Sequence, residues 1–284
     1  GFVKQQRKRN ITRRTLEAFR LHLLREEKSS LTVGKYLRDA RAFMAFAAGR
    51  SVDKALVAAY KQRLLEQGYA ARSVNSMLAG LNSLFGFLGW QDCRVRNVRV
   101  QRRIYCAEER ELTKAEYLRL LEAARRDRRL YLLLETICGT GIRVSELAYF
   151  TVEAVAQGEI AVRCKNKTRS ILIPGRLRKS LLAYARQSGI ASGPVFRTRS
   201  GRAMDRSGVW AQMKALCAPA RVRKTKVFPH NLRKLFARTF YAVEKDIAKL
   251  ADILGHSSID TTRIYIMTSG HEHRRKIDRL GLVV

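Results

Sequence analysis

The stretch Leu254-Gly255-His256-Ser257-Ser258-Ile259-Asp260-Thr261-Thr262-Arg263-Ile264-Tyr265 sets a tyrosine nine residues after a histidine. The segment is too polar and too rich in Ser and Thr to be a simple core helix. Two more segments precede it, Thr140-Gly141-Ile142-Arg143-Val144-Ser145-Glu146-Leu147 and His230-Asn231-Leu232-Arg233. Together they supply two arginines, two histidines and a phenol, and no cluster of carboxylates. That inventory suits chemistry on a phosphodiester, carried by side chains with no metal and no cofactor.

The charge agrees with such a partner. The 284 residues carry 57 Lys and Arg against 24 Asp and Glu, a formal net charge of +33. An excess of this kind stabilises no fold; it concentrates polyanions and speeds their capture. Each phosphate neutralised also releases condensed counterions. Nucleic acid is therefore the first partner to consider. A membrane is disfavoured, because no run approaches about 18 apolar residues and no signal-peptide pattern opens the chain. The five cysteines (Cys93, Cys106, Cys138, Cys164, Cys217) are odd in number, far apart and never in a CxxC pair. They read as reduced cytoplasmic thiols, with neither a disulfide framework nor a zinc site.

Both halves of the chain are basic. Residues 1–106 carry 22 Lys and Arg against 7 Asp and Glu, and residues 107–284 carry 35 against 17. Residues 1–92 read as helices throughout, with Leu16, Phe19 and Leu23 at helical spacing, then Tyr36, Ala40, Phe43 and Ala47. A third helix is expected from Asp53 to Gln67 and a fourth from Ser73 to Leu88, which makes a small bundle. Its cations include Lys35, Arg41 and Arg72, candidates for phosphate contact collectively. Residues 93–106 hold Arg94, Arg96, Arg99 and Arg102 among scattered Val and Ile, the texture of an extended basic linker. Residues 107–284 form a second domain. Thr113 with Glu116 is a capping-box signature. A helix over Arg129–Cys138 and strands over Glu159–Arg163 and Ser170–Ile173 follow. These strands make a hairpin whose turn carries Lys165, Lys167 and Arg169; the remainder reads as helical. The expected fold is mainly α with one small β-sheet: a helical bundle followed by an α+β domain.

Cleaving a phosphodiester without a metal places extra negative charge on the non-bridging oxygens. Guanidiniums suit it, being planar forks of donors that keep their protons, and Arg143 and Arg233 are the candidates. An imidazole supplies a further donor or accepts the nucleophile's proton; His230 and His256 fit. A lysine on a hairpin would protonate the leaving oxygen. A tyrosine, with a reference pKa of about 10, stores the phosphoryl bond and leaves again when the reaction reverses. Alone, each residue has a plainer reading: Arg143 a surface charge, His256 a helix N-cap, Tyr265 a core aromatic, the lysines solvated. The set changes the reading, since His-x-x-Arg places two side chains on one helix face and Leu-Gly-His…Tyr supplies the rest.

These segments resemble the tyrosine recombinases of the phage-integrase and Xer family. Thr140–Leu147 looks like the motif of the first catalytic arginine, His230–Arg233 like the histidine–arginine pair, and Leu254–Tyr265 like the closing motif with the nucleophile. The segment Cys164-Lys165-Asn166-Lys167-Thr168-Arg169-Ser170-Ile171-Leu172-Ile173-Pro174 is similar to the family's mobile lysine hairpin. By its distance to the proline, Lys165 matches the catalytic lysine better than Lys167. The helical first half resembles the family's core-binding domain.

The resemblance implies a C-shaped clamp on double-stranded DNA and a 3′-phosphotyrosine link through Tyr265. Exchange would pass through a Holliday junction in a homotetramer on paired inverted-repeat half-sites, with accessory or directionality proteins as further partners. Ile277, Leu280, Leu282 and Val283 would dock on a neighbouring protomer, or pack on their own domain. Two rivals share features with this reading: a type IB topoisomerase-like or telomere-resolving enzyme, and a DNA-binding architectural protein without chemistry.

Overall fold

The computed structural model describes residues 8–100, 110–164, 167–267 and 270–283. The chain divides into two compact units, Gly1–Arg102 and Arg103–Val284.

The first unit is the expected bundle of α1 (Arg13–Arg25), α2 (Ser30–Ala47), α3 (Lys54–Glu66) and α4 (Ala71–Phe87). Side chains start three of these helices: Thr12, Ser29 and Asp53 accept from backbone amides of the first turn, which satisfies donors a helix leaves orphaned. Phe43 lies at the centre, edge-on to Tyr60 and Phe85. Residues 93–98, read above as linker, pack on this unit. Val95 and Val98 turn onto its core. Asn75 brackets Val98, donating to its carbonyl at 3.0 Å and accepting its amide at 2.7 Å. The scattered valines were thus a packing signal, too sparse for a periodicity.

The candidate DNA contacts divide here. Arg41, Arg72, Arg94, Arg96 and Arg99 are exposed. Lys35 is bonded to Asp39 and to the Ser76 carbonyl, each at 2.7 Å, and Arg94 to the Asn82 carbonyl at 3.2 Å. Arg102, Lys165 and the side chain of Lys167 lie outside the described residues.

The second unit begins with α5 (Lys114–Ala123), opened by the expected Thr113–Glu116 capping box. The buried α6 (Arg128–Thr140) follows, with Leu132, Leu133, Leu134 and Ile137 closed to solvent. A 3-10 helix (Val144–Tyr149) and α7 (Val152–Gln157) lead into antiparallel β1 (Glu159–Cys164) and β2 (Lys167–Leu172), paired from Glu159↔Leu172 to Cys164↔Lys167. The second strand starts earlier than Ser170. Arg169, expected in the turn, therefore stands in the ladder opposite Val162. Next come α8 (Gly175–Gln187), α9 (Arg206–Ala215) and α10 (Cys217–Ala220). Residues 190–205 are not helical: isolated bridges join Thr151 to Pro194 and Arg197 to Ala203. Gly189, Gly193 and Gly201, all at positive φ, impose this path. The unit closes with α11 (Pro229–Val243), α12 (Ile247–Leu254), α13 (Ile259–Tyr265) and α14 (Gly270–Asp278). Pro229 is the first residue of α11, where its missing N–H is not needed. No helix of the described residues is long and apolar enough to cross a membrane.

Candidate active site

Five of the six residues singled out from sequence converge at the ends of α6, α11, α12 and α13. α6 ends at Gly141, in the left-handed region at φ 68°, and the chain turns out to Arg143, the extended residue before the 3-10 helix. Glu146, 3% exposed, anchors this turn. Its carboxylate accepts the Arg143 amide at 2.7 Å and the Arg143 Nη1 at 3.2 Å, and pairs with Arg169 from β2. Arg169 also donates to the Ile253 carbonyl at 2.5 Å. Arg143 Nη2 reaches the Gly255 carbonyl at 3.3 Å. Its side chain remains 37% exposed, so this guanidinium is both held and open.

Arg233 is 1% exposed. Its Nη1 donates to the Gly141 carbonyl at 2.5 Å, and its Nη2 to the Leu254 carbonyl at 2.6 Å and to His256 Nε2 at 3.0 Å. Its Nε is buried without a partner. Burial, then the nearby Arg143 charge, pulls its pKa down to about 10, so it keeps its proton at neutral pH.

Gly141 meets two demands here, a positive φ and close packing. A Cβ at this position would stand 2.3 Å from Phe236 Cδ1. Gly141→Ala is therefore expected to destabilise the protein by roughly 1–3 kcal/mol, read as a lowered thermal unfolding midpoint. It should also displace Arg233, by shifting the carbonyl that holds it.

Tyr265 closes α13 and is 8% exposed. Its hydroxyl lies 3.3 Å from His230 Nδ1, and the Arg233 Cζ sits 5.6 Å from its ring centre. The two histidine rings flank it edge-on, at 4.8 Å for His230 and 4.6 Å for His256. His256 is not the N-cap; Ser258 caps α13. His256 Nδ1 instead meets Thr262 Oγ1 at 2.8 Å. Lost solvation depresses both histidine pKa values to about 4. The charges of Lys234, Arg233 and Arg143 add to this at His230, and those of Arg233 and Arg143 at His256. Both imidazoles are neutral at pH 7 and able to accept a proton. A fixed cationic pair beside a phenol with a neutral base at its hydroxyl is chemically suited to hold an anion and to present a nucleophile to it.

Glu146, Arg169 and Thr262 were not assigned a role from sequence. Glu146 left one trace, a lone acid three residues after Arg143. Arg169 and Thr262 left none, because their partners lie far along the chain or depend on how α13 seats.

A helical unit followed by a unit that gathers arginine, histidine and tyrosine in this way defines a class, the enzymes that transfer a phosphodiester through a tyrosine. The chain belongs to the phage integrase family, whose family model matches residues 110–271. The family's N-terminal SAM-like domain matches residues 16–92. As a member it is a site-specific DNA recombinase acting by tyrosine catalysis. It is 29% identical to tyrosine recombinase XerA of Pyrococcus furiosus, over 98% of this chain and 97% of that one. Identity is 31% to XerA of Thermococcus kodakarensis, over 92% and 93%, and 30% to XerC of Pseudomonas aeruginosa, over 89% of each. In fold it is similar to a lambda integrase dimer bound to a COC′ core site, with TM-score 0.72 and 17% identity, over 91% of this chain and 78% of that one.

Proposed function

We propose that Tyr265 is the nucleophile, that Arg143 and Arg233 stabilise the transition state, and that Lys165 is the general acid. The phenol oxygen forms a bond to the scissile phosphorus as the bond to the 5′-oxygen breaks. This yields a 3′-phosphotyrosine and a free 5′-hydroxyl. The phenol's proton passes to His230, whose Nδ1 already faces it, and Lys165 protonates the leaving oxygen. His256 adds a donor to a non-bridging oxygen. The observation that carries this reading is the Tyr265 hydroxyl at His230 Nδ1, with the Arg233 guanidinium against the same ring. The test is a nicked duplex whose short 5′ fragment diffuses away after cleavage. Incubation should trap a covalent protein–DNA adduct, and its absence with intact DNA binding would overturn the reading.

The substrate in this proposal is double-stranded DNA with paired inverted-repeat half-sites, bound by a homotetramer through a Holliday junction, with accessory proteins setting direction. In support, a lambda integrase tetramer bound to a Holliday junction shares the fold at TM-score 0.70 and 18% identity, over 89% of this chain and 76% of that one. The tail agrees: Ile277, Leu280, Leu282 and Val283 are 63–95% exposed, which favours docking on a neighbour over packing at home. The exposed Arg41, Arg72, Arg96 and Arg99 would lie on the phosphate backbone, joined by Arg102 and Lys167. Lys35 and Arg94 would first exchange their internal partners. We place this reaction in the cytoplasm.

Lys165→Ala is expected to slow cleavage of ordinary DNA far more than Lys167→Ala. A substrate with a 5′-bridging sulfur should rescue Lys165→Ala, because a thiolate leaves without protonation, and should leave Arg143→Ala impaired. Equal defects in both lysine variants, or no rescue by sulfur, would remove Lys165 from the acid role.

A further inference from the structure

We infer that Thr262 is a positioning residue for His256: its hydroxyl accepts the imidazole Nδ1–H, so that Nε2 is the atom turned to the reacting phosphate. Thr262 is fully buried and lies one helical turn before Tyr265 on α13. Its Oγ1 is 2.8 Å from His256 Nδ1, while His256 Nε2 is 3.0 Å from Arg233 Nη2. A guanidinium has donors and no acceptor. Nε2 must therefore carry the lone pair in the free protein, and the single proton of the neutral ring sits on Nδ1 and is donated to Thr262. The hydroxyl thus does for this imidazole what an acceptor behind a functional histidine does in general, setting tautomer and ring plane together.

The inference rests on the proposed role of His256 and adds a consequence to it. When a phosphate oxygen enters and engages the Arg233 donors, His256 Nε2 loses its partner. A proton taken up from solvent at Nε2 gives an imidazolium that donates to the phosphate from Nε2 and still donates to Thr262 from Nδ1. The Thr262 bond is common to both states, so the ring need not turn between them. Because Thr262 and Tyr265 share one short helix, the placement of His256 and of the nucleophile rise and fall together. If α13 leaves its seat, His256 loses its Nδ1 acceptor as the phenol withdraws.

Two measurements on the full chain test this. In the free protein labelled with 15N-histidine, His256 should show a protonated Nδ1 and a bare Nε2 near pH 7; the opposite tautomer overturns the inference without recourse to any variant. Adduct formation on the nicked substrate is then compared in single and double variants. Thr262→Val, which keeps the shape and removes the hydroxyl, should slow the step by about 10- to 100-fold, and Thr262→Ser should retain most of the rate. In a His256→Ala background, Thr262→Val should add no further loss, because its effect passes through the imidazole. A full additional loss there would mean that Thr262 only holds α13 together, and the inference would fall while the role of His256 stood. Wild-type cleavage by His256→Ala would instead overturn the role of His256, and the inference with it.

Discussion

Tyr265→Phe is expected to abolish the covalent adduct and strand exchange while leaving DNA affinity nearly unchanged. The substitution removes one oxygen. The ring that fits between His230 and His256 and against Arg233 is retained, so the site should keep its shape. Affinity is expected to come from many phosphate contacts spread over a surface of net charge +33, and such binding scarcely registers one phenol. The chemistry has no substitute, since a phenyl ring cannot attack phosphorus. The measurement pairs a gel shift on intact duplex with denaturing electrophoresis on the nicked one. An adduct that survives in the Phe variant would assign the nucleophile elsewhere. Tyr241, near the end of α11 with Lys245 5.3 Å from its ring centre, would be examined next.

Arg143→Ala and Arg233→Ala are each expected to lower the rate of adduct formation by two orders of magnitude or more, roughly what one preorganised transition-state donor contributes. Their effects on stability should differ. Arg143 is partly open, and without it Glu146 still holds Arg169, so Arg143→Ala should melt close to wild type. Arg233 is enclosed and satisfies two carbonyls and an imidazole. Its removal strands those acceptors and leaves a void, an expected loss of roughly 3 kcal/mol. Arg233→Lys should not restore activity, because one ammonium cannot reproduce the planar fork that spans Gly141, Leu254 and His256. Single-turnover cleavage, gel shift and thermal melting on the same preparations separate these effects. If DNA binding fell as far as cleavage, the arginines would be docking contacts and not transition-state donors.

Much of this protein was legible in its residues. The bundle followed from helical spacing and short breaks. The start of α5 followed from a local exchange of hydrogen bonds between Thr113 and Glu116, which any chain with those residues in that order can make. The five residues that the structure brings together could be picked out from sequence for a related reason. A guanidinium, an imidazole and a phenol have few substitutes for handling a phosphodiester, and their segments carry them at fixed spacing. Local sequence was less informative where the chain is irregular. Residues 190–205 follow their glycines and two isolated bridges, and the valines of 93–98 find a core that spacing alone could not show.

What sequence could not reach was the state of the site. Whether Arg233 is buried, whether His256 is neutral and which nitrogen bears its proton depend on groups brought together from four helix ends. Glu146 lies close to Arg143 in the chain, yet its burial and its bond to Arg169 arise only when the hairpin brings Arg169 of β2 to it. Thr262 looks like any helix threonine until α13 seats it against His256. Residue types and their order determined the family and the reaction, because that chemistry needs those functional groups. Tertiary structure decided charge, tautomer and orientation, because desolvation and hydrogen-bond geometry are properties of the packed neighbourhood and of no single stretch of chain.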